Sequence, residues 1–151
     1  MYLQEENDII DTENKDFVFT FLNTNARSLS LKINSLIDCF DEMDAAFGVV
    51  TETWLSDGTG LSEDIEDFEA GAGMGMLTRN RERGARGVSH GGVALIYHLN
   101  KCAFKEVSLQ NPENFEVLAC VGRFVGYSRD VVVLACYMPC LLYTSPSPRD
   151  S

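Results

Sequence analysis

Two apolar runs near the start of the chain stop abruptly at polar groups. In the first, β-forming residues from Phe17 to Phe21 give way to Leu22-Asn23-Thr24-Asn25. The period-2 alternation of an extended chain puts Asn23 and Asn25 on the same side. In the second, Phe47 to Val50 reads as a fully buried strand, with Glu52 following where that strand should leave its sheet. Between the two runs, Leu29, Ile33, Leu36, Ile37 and Phe40 recur at helical spacing, with Lys32, Asn34, Asp38 and Asp41 on the other side. This pattern predicts an amphipathic helix lying on a sheet, capped by Ser28 or Ser30.

Beyond Trp54 the Gly, Ser and acid content from Ser56 to Gly75 predicts a long loop, with one helical turn around residues 62–68. The remainder is strand-rich, with candidates near residues 74–78, 92–97, 103–109, 115–124 and 130–137. Asn111-Pro112-Glu113-Asn114 and Gly126-Tyr127-Ser128-Arg129-Asp130 supply turn chemistry between antiparallel neighbours. One main helix followed by a meander of strands predicts an α/β two-layer unit.

Composition narrows this picture. A chain of 151 residues with 45% hydrophobic content is long enough for one domain with a real core. The net charge of −11 is unexpected for a protein that approaches nucleic acid, since phosphate contacts need Lys and Arg. Much of the excess is local, in residues 1–16 and 57–69, and such acidic runs are commonly solvated flanks. The Arg81-Glu82-Arg83-Gly84-Ala85-Arg86-Gly87 connection is the one basic concentration; a solvated hairpin loop and a phosphate-contacting loop both fit it.

Cys39, Cys102, Cys120, Cys136 and Cys140 show no CxxC pair and no His partner at zinc spacing, which predicts reduced core thiols in an intracellular protein. His90 and His98 flank a strand in the middle of the chain and read as structural. The N-terminus lacks the charged and apolar regions of a signal peptide, and no apolar run is long enough to span a bilayer. The expected organisation is a polar acidic leader over 1–16, a domain over 17–139 and a disordered tail over 140–151. The stretch from Cys140 to Asp150 corresponds to the translation of a sequencing-library transposase adaptor, and is excluded from the fold.

A lone acid after an apolar run is ordinarily a solvated strand end. The pairing of Leu22-Asn23-Thr24-Asn25-Ala26-Arg27-Ser28-Leu29 and Lys32 with Thr51-Glu52-Thr53-Trp54-Leu55 changes that expectation. In order and spacing these stretches resemble the first two motifs of the endonuclease/exonuclease/phosphatase superfamily, and within it the apurinic-endonuclease-like domain of non-LTR (LINE-type) retrotransposon proteins. Arg79-x-x-x-Arg83 leading to Gly91-Gly92-Val93-Ala94-Leu95-Ile96-Tyr97, and residues 131–133 running to Ala135-Cys136-Tyr137-Met138-Pro139, agree as well. The resemblance covers residues 17 to 139.

That resemblance implies part of a four-layer α/β/β/α sandwich with mostly antiparallel sheets and one main N-terminal helix. It also implies hydrolysis of a DNA phosphodiester with a divalent ion, Mg²⁺ or Mn²⁺. Glu52 is then a metal ligand with Asn25 beside it. Asn23 orients groups around metal and phosphate, Tyr137 contacts the phosphate near the leaving group, and Arg79 and Arg83 bind substrate. The implied partners are DNA and a downstream reverse transcriptase domain, with no membrane; the implied location is intracellular, and nuclear for an active retroelement. The family's later Asp-x-Asn and Ser-Asp-His motifs do not follow Tyr137, so the chain is expected to be an N-terminal half without activity of its own. Side chains of residues 93–96 and 131–134 would then lack a partner sheet. Two alternatives stay open: another phosphoesterase of the superfamily, acting as a phosphatase or lipid-phosphate hydrolase, or a non-catalytic interaction domain.

Overall fold

A computed structural model describes residues 17–55, 73–80, 91–110 and 115–138. The expected leader, the acidic loop, the basic connection with Arg83 and His90, and the tail with Cys140 lie outside these residues. In chain order the elements are β1 (Phe21–Asn25), α1 (Ile33–Met43), β2 (Phe47–Thr51), β3 (Met74–Arg79), β4 (Val93–His98), β5 (Cys102–Val107), β6 (Glu116–Phe124) and β7 (Val131–Tyr137). No helix is long and apolar enough to cross a membrane among the described residues.

The strands form two sheets, one ordered β1-β2-β4-β3 and one ordered β5-β6-β7. Only β1 and β2 pair in parallel, and α1 is the crossover such a pair requires. All other ladders are antiparallel. Among the described residues the architecture is α/β: two mostly antiparallel sheets with a single helix, consistent with the expected sandwich.

Alternation along β4 divides the interior. Val93, Leu95 and Tyr97 turn toward the second sheet and meet Phe104, Leu118, Cys120, Phe124 and Ala135. Ala94 and Ile96 turn the other way, where Val50 and Met74 join Leu29, Phe40 and the half-buried Ile33, Leu36 and Ile37. A strand covered on both faces must be apolar throughout, which is why residues 93–97 show no alternation. The helix sits close to the sheet at Gly48, where an added Cβ would lie 2.7 Å from the Phe40 ring.

Four expectations change. The described residues build three layers rather than two, because β5 to β7 turn back as a second sheet over the first. For the same reason Val93 to Ile96 are fully buried, while on β7 Val132 and Leu134, 65% and 59% exposed, face outward together with Cys136. The first strand starts at Phe21 and runs through both asparagines, since pairing with β2 continues to Asn25 opposite Thr51. Phe17 and Phe19 lie ahead of it and pack as rings against Tyr127 and Phe124. Finally, neither serine caps α1: Lys32 occupies the N-cap with no side-chain cap bond, and the Ser28 and Ser30 hydroxyls pair with each other at 3.3 Å.

Of the described thiols, all free, Cys102 and Cys120 are buried as expected of core residues, whereas Cys39 and Cys136 are exposed. Burial pushes both buried thiols up to about 11. His98 is structural, with its Nε2 3.7 Å from Asp41 Oδ1 and its ring edge-on to Phe40.

Candidate functional site

The end of β2 is held by backbone. Ala26 N–H donates to the Thr51 carbonyl at 2.9 Å, Ser28 N–H to Glu52 at 3.0 Å and Leu29 N–H to Thr53 at 2.9 Å. From the other side, Trp54 N–H donates to the Gly91 carbonyl at 2.9 Å and Thr53 N–H to that of Gly92 at 3.4 Å. The clamp accommodates an unusual conformation. Of the five non-glycine residues with positive φ among those described, Arg27, Ser28, Glu52 and Trp54 are here. Left-handed backbone at non-glycine residues costs about 1–3 kcal/mol each and tends to collect at functional sites.

Gly92 shows why the strap on this turn is glycine. Its φ is +89°, and an added Cβ would lie 2.3 Å from Thr53 Oγ1. Thr53 itself is 1% exposed, so its hydroxyl has nowhere to retreat. The turn thus presents Glu52 on a braced backbone.

Tyr137, the last residue of β7, donates its hydroxyl to Glu52 Oε1 in a part-buried contact spanning 85 residues of sequence. Two motifs from different sheets therefore meet side chain to side chain. Asn25 pairs with Thr51, immediately before Glu52, and Asn23 pairs with Val49 two residues back. Both amides are exposed and share the face on which Phe21 stacks against Phe47.

Arg79 lies in the same row, since Asn25, Thr51, Val93 and Arg79 are successive partners across the first sheet. Two strand spacings put its backbone about 10 Å from that of Thr51. Its guanidinium donates to Glu106 Oε1 at 3.0 Å, so a phosphate there would compete with a carboxylate. Arg83 lies outside the described residues. Sequence reasoning missed Glu116, whose Oε2 accepts the Gly92 N–H at 2.8 Å. An acid opening an apolar strand gives no signal of such a role.

No three His, Cys, Asp or Glu side chains cluster as a metal site among the described residues. The donor set nonetheless suits one kind of ion. A carboxylate, a neighbouring amide and a phenol are all hard oxygen ligands, and Mg²⁺ is commonly held by one or two carboxylates with water and substrate phosphate completing its shell. Among the described residues at this turn there is no thiol or imidazole for a soft or nitrogen-seeking metal.

No family model and no curated protein matches the chain. Among solved structures it is similar to the 3′ phosphatase NExo from Neisseria bound to a product DNA hairpin, at 13% identity and a TM-score of 0.46 over 68% of this chain. The chain spans 37% of that protein's length. At this level of likeness any functional reading stands on the motifs and the site's own geometry.

Proposed function

We propose that this chain belongs to a metal-dependent phosphoesterase of the endonuclease/exonuclease/phosphatase superfamily, and within it to the DNA endonuclease of a non-LTR retrotransposon. The single observation that carries this is the Tyr137 hydroxyl on the Glu52 carboxylate. Residues from two separate motifs converge on a strained turn, with the Asn-x-Asn strand paired alongside. Packing alone gives no reason for that convergence.

Glu52, with Asn25 beside it, would hold Mg²⁺ or Mn²⁺. Once bound, the ion supplies charge neutralisation at phosphoryl oxygens. Tyr137 fixes the carboxylate's orientation and stands ready to contact a phosphate. Asn23 and Asn25 offer amides that orient the phosphate ester, and Arg79 and Arg83 extend the binding surface along the DNA backbone. The groups that activate the attacking water come, in this proposal, from the superfamily's later motifs in further sequence. The complete protein would act on DNA inside the cell, in the nucleus for an active element, beside a reverse transcriptase domain.

The test has two parts. Mn²⁺ titration of the 151-residue chain should show one site that Glu52→Ala removes; equal binding by the variant would defeat the metal-ligand assignment. A plasmid-nicking assay should find no activity in this chain with Mg²⁺, and Glu52-dependent nicking once a superfamily C-terminal half is joined to it. Release of phosphate from a DNA 3′ end or a lipid phosphate, without nicking, would move the assignment to a phosphatase of the superfamily.

A further inference from the structure

Glu116 opens β6 and stands directly opposite Tyr137 in the β6–β7 register. The two members of this pair serve the same turn by different means. Tyr137 gives its hydroxyl to the Glu52 side chain, while the Glu116 carboxylate takes the backbone N–H of Gly92 at 2.8 Å. Gly92 and Gly91 in turn provide the carbonyls that accept Thr53 and Trp54 N–H on the outer side of the turn. Glu116 is thereby linked to Glu52 through two hydrogen-bonded steps, carboxylate to Gly92 and the glycine strap to Thr53 and Trp54, with Thr53 following Glu52 directly in the chain.

A left-handed non-glycine residue persists only where its surroundings over-determine it. Glu52 and Trp54 are both in that state, at φ 52° and 55°. On the inner side the turn is held by Ser28 and Leu29, which precede a regular helix. On the outer side it is held by two glycines, which have no side chains to lock their own conformation. The outer strap needs an external anchor, and the carboxylate of Glu116 is placed to be one. A hydrogen bond to a charged acceptor is also stronger than a neutral one.

We propose that Glu116 is a positioning residue that anchors Gly92 and, through the Gly91-Gly92 strap, fixes the turn presenting Glu52. Its functional meaning rests on the reading of Glu52 as a metal ligand; the anchor itself acts with no metal present. The two are therefore separable by experiment.

Trp54 is the only tryptophan of the chain and lies within the turn, so its fluorescence reports the turn directly. The full chain, Glu116→Ala and Glu116→Gln are compared by amide hydrogen exchange, by acrylamide quenching of Trp54 and by Mn²⁺ titration. Glu116→Ala should speed exchange of the Gly92 and Trp54 amides at least about tenfold and raise quenching, while the Phe40 amide in α1 keeps its rate. Glu116→Gln, whose side-chain carbonyl can still accept, should restore most of the protection. Mn²⁺ affinity should fall about tenfold in the alanine variant and recover with glutamine.

Unchanged Gly92 and Trp54 exchange in Glu116→Ala overturns the anchor, and so does acceleration spread equally over α1. Should the alanine variant not fold, the wild-type chain decides: a Gly92 amide exchanging as fast as an open chain overturns the proposal, and a protected amide that Glu116→Gln preserves upholds it. A chain that shows the exchange pattern but binds no Mn²⁺ leaves the anchor standing and removes the metal-ligand reading.

Discussion

The two ends of the first sheet are held together in different ways. Where β2 begins, Phe47 stacks on Phe21 with centroids 5.4 Å apart and meets Phe104 edge-on at 5.5 Å. Phe19 stacks on Phe124 at 4.8 Å and Phe17 on Tyr127 at 4.7 Å, so rings from both sheets close that end. Where β2 finishes, five backbone bonds from Ala26, Ser28, Leu29, Thr53 and Trp54 clamp a turn whose φ values are left-handed. Ring packing is strong but tolerant, because dispersion and burial change little when a ring slides a few tenths of an ångström. Hydrogen bonds fix direction as well as distance. Stability is thus concentrated at the aromatic end and geometric precision at the Glu52 end.

The largest effect expected from this contrast is on stability at the aromatic end. Phe47 is 4% exposed. Phe47→Ala should cost about 3–5 kcal/mol in urea denaturation, through lost burial and the cavity left among the rings. A cost under about 1 kcal/mol would mean that the end collapses freely around the gap and is not the stabilising one.

Alkaline pH probes the same interior. Cys102 pairs with Phe124 at the aromatic end and donates to the Ala46 carbonyl at 3.3 Å, and Cys120 lies in the shared core. Burial raises both thiols from an ordinary 9.0 to about 11. Between those values the folded chain keeps protons that the unfolded chain has lost, so stability should fall as pH rises from 9 toward 11, by up to about 2 kcal/mol per thiol. Below the unfolded value this contribution is fully present. Cys102→Ala with Cys120→Ala should flatten the slope of stability against pH in that window; an unchanged slope would assign it to other groups.

Gly92→Ala acts at the other end. With φ at +89° and Thr53 Oγ1 2.3 Å from the new Cβ, it should cost about 2 kcal/mol. The telling readout is Trp54 emission, which should shift in the folded protein, whereas Phe47→Ala leaves it unchanged there. Equal shifts from both variants would erase the distinction between the ends.

The smallest effect serves as a baseline. Arg123 and Asp130 form an ion pair at 2.8 Å with side chains 79% and 51% exposed. Arg123→Ala should change stability by less than about 0.5 kcal/mol and lose even that in added salt.

Periodicity alone determined much of this molecule. The spacing of Ile33, Leu36, Ile37 and Phe40 located the helix and its buried face, because a 3.6-residue repeat has one geometric solution, while Leu29, which begins the same pattern, lies ahead of the helix. The apolar runs located the later strands for similar reasons, and the motif resemblance drew attention to Glu52 and Tyr137 although nothing local relates them. Tertiary structure decided what local pattern does not encode. Parallel pairing with β2 carried β1 through the asparagines, and a second sheet folded back to cover Val93 and Leu95. The backbone bonds of residues 26–29 to the Glu52 turn left Lys32, rather than a serine, at the start of α1. Glu116 belongs to the same class: it accepts a backbone N–H from the residue just ahead of β4, and a contact with a main-chain group leaves no side-chain pattern for a sequence to reveal.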